Sequence, residues 1–424
     1  MKSLIFILSL LFIINISNAQ KFECKSKTSE YKELLKANKI AETYDLWNEV
    51  RKNCQKEDQT IYLDGIKILT YKIDNTTSVE DKEKKVRELL KLYDQYYTNF
   101  PKDATDYEIN KAMALINNKI DASDEIFNLL DRGIITSQEN VKDANALYTY
   151  FSLLCEKYNS GDEKITSNVI LEKYTLVSKV LNRLLISNPE NKEYKTAQRA
   201  IEVLIGNLAT CDNLVAFYTK NFPENKENRE WITAALVNLS RKCSNNSLFL
   251  TLAEKLYTIK VDSQSANFMG LANLKQRKNN EAIKYYNESA ELEVNLLEKA
   301  KIYYNLATGL LVNDLPKSKE NLNKAIIAYP KMGKAYIFLA QQYANSANNC
   351  GKNELEKKAI YYLGIQTLKK VGVNEPRLKP TADKLIKDFE PNAISPQEIT
   401  RAKLNGNSIT IGCWINETIT FPSE

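Results

Sequence analysis

Hydrophobic and polar residues alternate along most of this chain with the spacing of amphipathic helices that pair as hairpins. The clearest stretch is 263–330, where apolar residues recur every three or four positions and a short polar loop interrupts each run. That spacing places the apolar residues on one face of a helix. The stretch predicts two helix hairpins, one from Ser263 to Glu293 and one from Lys299 to Pro330.

Small and aromatic residues in these hairpins lie where two helix backbones must approach each other. In the first hairpin, Gly270 is the small residue that lets the helix backbones approach, and Tyr286 is the large residue that fills the gap beside it. Near the start of the chain, Trp47 is the large residue expected between two hairpins. Pro189 and Pro223 are 34 residues apart and are each expected to close a second helix. A 34-residue helix–turn–helix period is that of the tetratricopeptide repeat (TPR).

The other helical patterns extend the same repeat unit. Ser78 is predicted to be the N-cap of one of these helices. From 103 to 189 the repeat pattern is irregular, and Gly133 and residues 159–162 are expected to interrupt its helices. A further repeat begins at Lys331, and its predicted loop, Asn345–Asn353, contains Cys350. The remaining predicted helices are Ser29–Asn38, Ile40–Asn53, Asp58–Ile73, Val79–Asn99, Asp106–Asn118, Ser123–Leu130, Val141–Tyr158, Asn168–Ile186, Asn225–Arg241, Ser247–Ile259, Glu354–Lys370 and Arg377–Phe389.

The end of the chain changes from a helical to a two-residue period. Between Asn407 and Phe421, apolar residues alternate with polar ones, which predicts a strand or a hairpin. The predicted fold is therefore all-α, a TPR-like right-handed solenoid of antiparallel helix hairpins over residues 20–390. Residues 391–424 form a tail with a short β segment.

The first 19 residues have the pattern of a signal peptide. Lys2 is followed by an apolar run from Leu4 to Ile14 and by the small-residue cleavage sequence Ser17–Ala19. A membrane anchor is the alternative, but the apolar run is short for a membrane span. We therefore expect an exported protein without a transmembrane segment after cleavage, located in the periplasm or associated with the outer membrane.

The seven cysteines invite pairing in an oxidising compartment. Two of the predicted disulfides each join the two ends of an antiparallel hairpin, because those ends lie close together. Closing each loop is expected to stabilise the fold by roughly 3 kcal/mol in the chain-entropy model. A third is expected to tie the tail to the last repeat, and Cys155 is left as a buried thiol. The predicted pairs are Cys24–Cys54, Cys211–Cys243 and Cys350–Cys413.

Composition argues against several kinds of function. The chain has 59 basic and 53 acidic residues, a small and scattered excess that does not indicate nucleic-acid binding. It has no histidine, C-x-x-C motif or glycine-rich phosphate loop, which removes the common catalytic triads and most metal sites. We expect no enzyme activity, no catalytic residue, no metal and no cofactor.

First-helix positions that face the groove of a TPR stack are the candidate binding residues. They form a mixed, mildly basic and partly apolar stripe, suited to an extended peptide or a helix of a protein partner. The alternative is that they are ordinary exposed residues. They are Gln264, Asn267, Leu271, Lys301, Tyr304, Thr308, Lys334, Ile337 and Gln341.

Two further hypotheses stay open at this point. Some of the 24 tyrosines could form aromatic platforms for an envelope glycan, although hairpin packing explains most of them. The tail strand could pair with a partner's strand, or it could only cap the last repeat, which we favour. Neither the partner nor the oligomeric state follows from the sequence.

Five motifs of the chain occur together: the Trp47…Cys54 hairpin, the segments 61–65 (IYLDG) and 92–95 (LYDQ), the Cys211/Cys243 pair and the segment 412–418 (GCWINET). With these motifs the chain resembles the exported TPR proteins of Gram-negative bacterial envelopes. That resemblance implies a helical superhelix that holds other proteins, and it carries no catalytic residue with it. The chain departs from the repeat pattern at Ser289 and Thr43, where alanine is usual.

Overall fold

The computed structural model describes residues 23–103 and 105–423, so the predicted signal peptide, residues 1–19, lies outside the described residues. These residues form helices and a single two-stranded hairpin. The chain packs as two units that divide between Ile205 and Gly206.

The first unit is a run of helices in which consecutive members pack side by side. Side-chain caps fix several helix starts: Ser78 accepts a hydrogen bond from the Asp81 backbone N–H, as predicted. Its helices are α1 (Cys24–Lys36), α2 (Ile40–Asn53), α3 (Thr60–Asp74), α4 (Val79–Asn99), α5 (Tyr107–Asn117), α6 (Ser123–Thr136), α7 (Ala144–Asn159), α8 (Ser167–Ser187) and α9 (Lys192–Ile205).

The second unit continues the same pattern and ends in the β hairpin. Its closest helix pairs are α13 with α14, α15 with α16 and α17 with α18. Its helices are α10 (Cys211–Asn225), α11 (Arg229–Lys242), α12 (Ser247–Ile259), α13 (Ser263–Lys275), α14 (Asn279–Leu292), α15 (Leu296–Thr308), α16 (Leu315–Ala328), α17 (Gly333–Cys350), α18 (Glu354–Asn374), α19 (Lys379–Phe389) and α20 (Pro396–Arg401). Short 3₁₀ turns span Gly206–Leu208, Pro376–Leu378 and Glu390–Asn392, and the antiparallel strands are β1 (Ser408–Ile411) and β2 (Glu417–Thr420).

Neighbouring helices pack closely where a glycine of one helix lies beneath an aromatic ring of the other. A Cβ at Gly270 would lie 2.8 Å from the ring of Tyr286 in the same hairpin. A Cβ at Gly65 would lie 2.1 Å from the Trp47 indole, which joins α2 to α3. Both glycines are thus required for close packing. The predicted fold class, all-α TPR-like helix hairpins with a short β tail, is confirmed.

Some predicted boundaries were wrong, and in two cases, at Gly133 and after Asn345, tertiary packing outweighs local propensity. Gly133 does not interrupt a helix; it lies inside α6, where a Cβ would come within 2.8 Å of Ile109. Pro223 lies within the last turn of α10 and does not close it. The predicted loop after Asn345 is helical, since α17 continues to Cys350 through the buried residues Ser346 and Ala347.

The β hairpin is packed as part of the last repeats. Its inward residues Ile411 and Ile419 are buried in one apolar cluster with residues of α15 to α18. The Trp414 ring stacks on Tyr343 of α17, with 5.7 Å between ring centroids. This packing favours the capping interpretation of the tail.

Two of the three predicted cysteine pairs are disulfides in the structure. Cys24 is bonded to Cys54 and Cys350 to Cys413, with Cα–Cα distances of 5.7 and 5.4 Å. The predicted bond between Cys211 and Cys243 is not formed. Burial, and then a hydrogen bond with the Cys211 side chain, raise the pKa of Cys243 to about 12 and favour the protonated thiol.

Thiol counting tests this assignment. Alkylation of the unfolded protein without reductant is expected to label three cysteines, Cys155, Cys211 and Cys243. Treatment with diamide, which takes two hydrogens from a thiol pair, should leave only Cys155 to be labelled. In a Cys211→Ser control, diamide should change nothing. Five or more labelled cysteines before oxidation would contradict one of the two disulfides.

No single helix among the described residues has the length and apolar character to cross a membrane. One consecutive pair of helical segments, Lys192–Leu208 and Cys211–Asn225, reaches that length and composition only when the two segments are counted together, and the chain bends between them.

Candidate binding groove

The nine candidate residues lie on three first helices, α13, α15 and α17. On each helix they are spaced at i, i+3 and i+7, so each set of three lies on one helix face. Asp262 begins α13 with a capping box that includes Ser265, and the Asn295 side chain caps α15. At α17 the backbone N–H of Gly333 donates to the Glu375 carboxylate at 2.9 Å. These contacts fix where each helix face begins.

Tyr304 and Lys334 are the two candidates that the structure brings together across helices. The Lys334 Nζ atom lies 6.0 Å from the centre of the Tyr304 ring, within the range of a cation–π contact. Lys334 is exposed and Tyr304 is half-buried. Burial raises the pKa of Tyr304 above its ordinary value, so the phenol is neutral near pH 7. The pair thus presents a cation beside a neutral hydrogen-bonding ring.

Several other candidates are already engaged within the protein. The Thr308 hydroxyl donates to the Tyr304 backbone carbonyl at 2.9 Å, and the Lys301 Nζ pairs with Glu298 at 2.8 Å. Ile337 packs against an apolar cluster formed by α17, α18 and α19. Thr308, Lys301 and Ile337 therefore stabilise the helices and have less capacity to contact a partner.

Asn267 on α13 is more available. Asn267 makes no side-chain hydrogen bond among residues 23–103 and 105–423, and it is half-buried. Gln264, Leu271 and, on α17, Gln341 are also half-buried. The surface therefore combines amide, apolar and cationic groups, as an interface for a peptide or helix does.

Two features of the described part of the chain bear on metal and glycan binding. It holds no group of three or more Cys, Asp or Glu side chains arranged to bind a metal. Of the tyrosines in that part, only Tyr71, Tyr97 and Tyr148 are more than a third exposed. The rest are buried or half-buried, as the packing explanation predicts.

Sequence reasoning missed two grooves in the first unit, with volumes of 730 and 830 Å³. Their walls come partly from α5 and α7, in the region whose repeat pattern is least regular, and partly from α3, α4 and α9. The available signal was a set of aspartates and asparagines on α3, α5 and the loops beside them, but no motif links them.

Comparison with known proteins finds similarity in structure only. No family model and no curated protein matches the chain. A tetratricopeptide repeat protein from Parabacteroides merdae has a TM-score of 0.29 and 12% identity, covering 66% of this chain and 96% of its own.

Two yeast structures are similar at the same level. The complex of the Sti1 TPR2AB domain with pHSP90 has a TM-score of 0.23 and 14% identity, covering 73% of this chain and 93% of its own. Tom70 has a TM-score of 0.24 and 12% identity, covering 89% and 90%. At these scores the fold assignment rests on the helix pairs and glycine–aromatic contacts described above.

Proposed function

We propose that this protein is a non-catalytic, exported scaffold that binds a protein or peptide partner through the face shared by α13, α15 and α17. The observation that carries the proposal is the Tyr304–Lys334 pair, which joins two successive first helices on a partly exposed face. Such a face suits a helix or an extended segment that crosses several repeats.

The proposed location is the periplasm or the outer-membrane surface. The two disulfides support it, because such bonds persist in oxidising compartments and are rare in reducing ones. The signal-like pattern before Gln20 points to the same compartment.

Site-specific photo-crosslinking tests the face and the location together. A photoreactive amino acid at Asn267 is expected to give a discrete adduct in a periplasmic extract. Lys334→Glu should lower its yield about fivefold, since losing a contact of about 1 kcal/mol changes an affinity by that factor. Lys334 is exposed, so the melting temperature should not change.

The matched control carries Ile327→Ala and Lys331→Glu, both at exposed positions outside the face. It should give the wild-type adduct. An adduct that Lys334→Glu leaves unchanged would remove this face from consideration, and an adduct found only in the cytoplasmic fraction would refute the location.

A further inference from the structure

The two grooves of the first unit adjoin each other. The first lies among α3, α4, α5 and the start of α7, and the second lies between the start of α7 and α9. Lys142 and Asp143 line both grooves, so the two meet at the start of α7. We call the two adjoining grooves together the α3–α9 groove.

The two parts of the α3–α9 groove differ in character: the first exposes more polar than apolar surface, and the second is mainly apolar and partly made of small side chains. In the first part, the buried residues Ile73 and Ile109 lie beside Met113. In the second part, Ala197 and Ala200 lie opposite Tyr148, which is 37% exposed. Small residues beside an aromatic ring leave room for the side chains of a bound segment.

The rim is acidic although the whole chain is basic, with a formal charge of +6. The lining carboxylates outnumber the lysines, and none of these carboxylates forms an ion pair in the part of the chain that the structure describes. The carboxylates are Asp74, Asp103, Asp106, Asp143 and Glu193, and the lysines are Lys142 and Lys192.

Acidic residues elsewhere in the unit do find cations. Glu108 pairs with Arg132 at 2.6 Å, and Asp131 pairs with Lys173 at 3.0 Å. Asp143 is used by the fold, since it caps α7 by accepting from two backbone N–H groups. Asp74, Asp103 and Asp106 have no such role, so their charge is available to a ligand.

Two further features fit a peptide chain. Asn110 and Asn117 lie seven residues apart on one face of α5, and neither side chain makes a hydrogen bond among the described residues. Such amides can both donate to and accept from a peptide backbone. The pKa of Tyr93 is raised to about 12, first by burial and then by Asp106, in keeping with the acidic environment.

We propose that the α3–α9 groove binds an extended segment of a partner protein that carries lysine or arginine between apolar residues. The apolar side chains lie against Tyr148, Ala197 and Ala200 in the second part, and the cations face the unpaired aspartates of the first part. All the residues that line this groove belong to the first unit, and none of them is one of the candidate residues on α13, α15 and α17.

Fluorescence anisotropy on the full chain tests the proposal with a labelled Lys-Leu-Lys-Leu-Lys peptide. The peptide is expected to bind and a Glu-Leu-Glu-Leu-Glu peptide is not. Neutralising Asp74, Asp103 and Asp106 together to asparagine should weaken binding about tenfold, since each exposed ion pair contributes about 0.5 kcal/mol. The triple variant should also flatten the dependence of affinity on salt.

The matched control neutralises three exposed acids outside the groove, Glu57→Gln, Asp121→Asn and Glu163→Gln. It should bind as the wild type does, and so should Lys334→Glu, which separates this proposal from the function proposed above. Melting temperatures show that each variant is folded.

Three results would overturn the proposal. One is equal binding of the lysine peptide by the triple variant and the wild type, and another is equal binding of the glutamate peptide. The third is self-association of the protein in sedimentation that is lost in the triple variant but is not displaced by the lysine peptide. That result would assign the groove to a second copy of the chain.

Discussion

Replacing Gly65 by alanine is expected to destabilise the first unit by about 1–3 kcal/mol, and replacing Trp47 by alanine in the same chain should remove that cost. A Cβ at position 65 would lie 2.1 Å from the Trp47 Cζ2 atom and 3.0 Å from a terminal methyl of Leu92. No side chain tolerates the shorter of these distances. The methyl of Leu92 can move, but the indole cannot move easily.

Burial and two polar contacts restrict the position of the Trp47 indole. Trp47 is 0% exposed, and its Nε1 donates to the backbone carbonyl of Ile61 at 2.7 Å. The Arg51 guanidinium lies 4.9 Å from the ring. Trp47→Ala alone should therefore cost about 3–5 kcal/mol, since it leaves a cavity and removes a buried hydrogen bond between α2 and α3.

In the Trp47→Ala background the added methyl finds space, and alanine is the better helix former by about 1 kcal/mol. Gly65→Ala should then be neutral or stabilising. The measurement is urea denaturation combined with hydrogen exchange of peptides from α2 and α3. Gly133→Ala is the control, because its added Cβ meets Ile109 and should cost the same in both backgrounds. An equal cost of Gly65→Ala with and without Trp47 would refute the packing explanation.

The fold could be predicted where local signals agree with tertiary packing. The predicted bounds of α2, α4 and α12 match the structure, since each is a periodic apolar run with clear flanks. Helix α20 was missed although Ser395 and Glu398 form a capping box around Pro396 at the first turn. That signal was present, but six residues are too few to show a helical period.

The binding surfaces were predictable only in part, and for a physical reason. Spacing on one helix gives the face that Asn267 and Leu271 share, but the contact between Tyr304 and Lys334 depends on how α15 and α17 pack. The α3–α9 groove is harder to predict, because Asp74 and Asp106 come to line one groove only through the packing of separate helices. Residue spacing alone does not encode those distances.

Replacing both Cys350 and Cys413 by alanine is expected to loosen the β tail, with a cost of about 4 kcal/mol in the chain-entropy model. The bond closes a loop between residues that are 63 apart in sequence. Other contacts persist: Lys319 pairs with Glu417 at 2.6 Å and donates to the Ile415 carbonyl, and Trp414 stacks on Tyr343. The tail should therefore open more often while it remains docked on average.

Hydrogen exchange of residues 408–421 measures that opening and should become faster, with little change in α10 to α12. The control is Cys24→Ala with Cys54→Ala, whose disulfide spans 30 residues at the start of the chain. It should loosen α1 and leave the tail protected. Unchanged exchange in the tail after loss of the Cys350–Cys413 bond would show that packing alone holds it.

Deleting residues 407–424 separates capping from docking. The deletion exposes apolar surface on α17 and α18 that Ile411, Ile419 and Phe421 now cover, so aggregation is the expected result. A folded, monomeric deletion variant that no longer binds a partner would instead assign the tail to docking. Since the inward face of the hairpin is buried and the hydroxyls of Thr410 and Thr418 on its exposed face bond to each other at 3.1 Å, capping is the outcome that the packing favours.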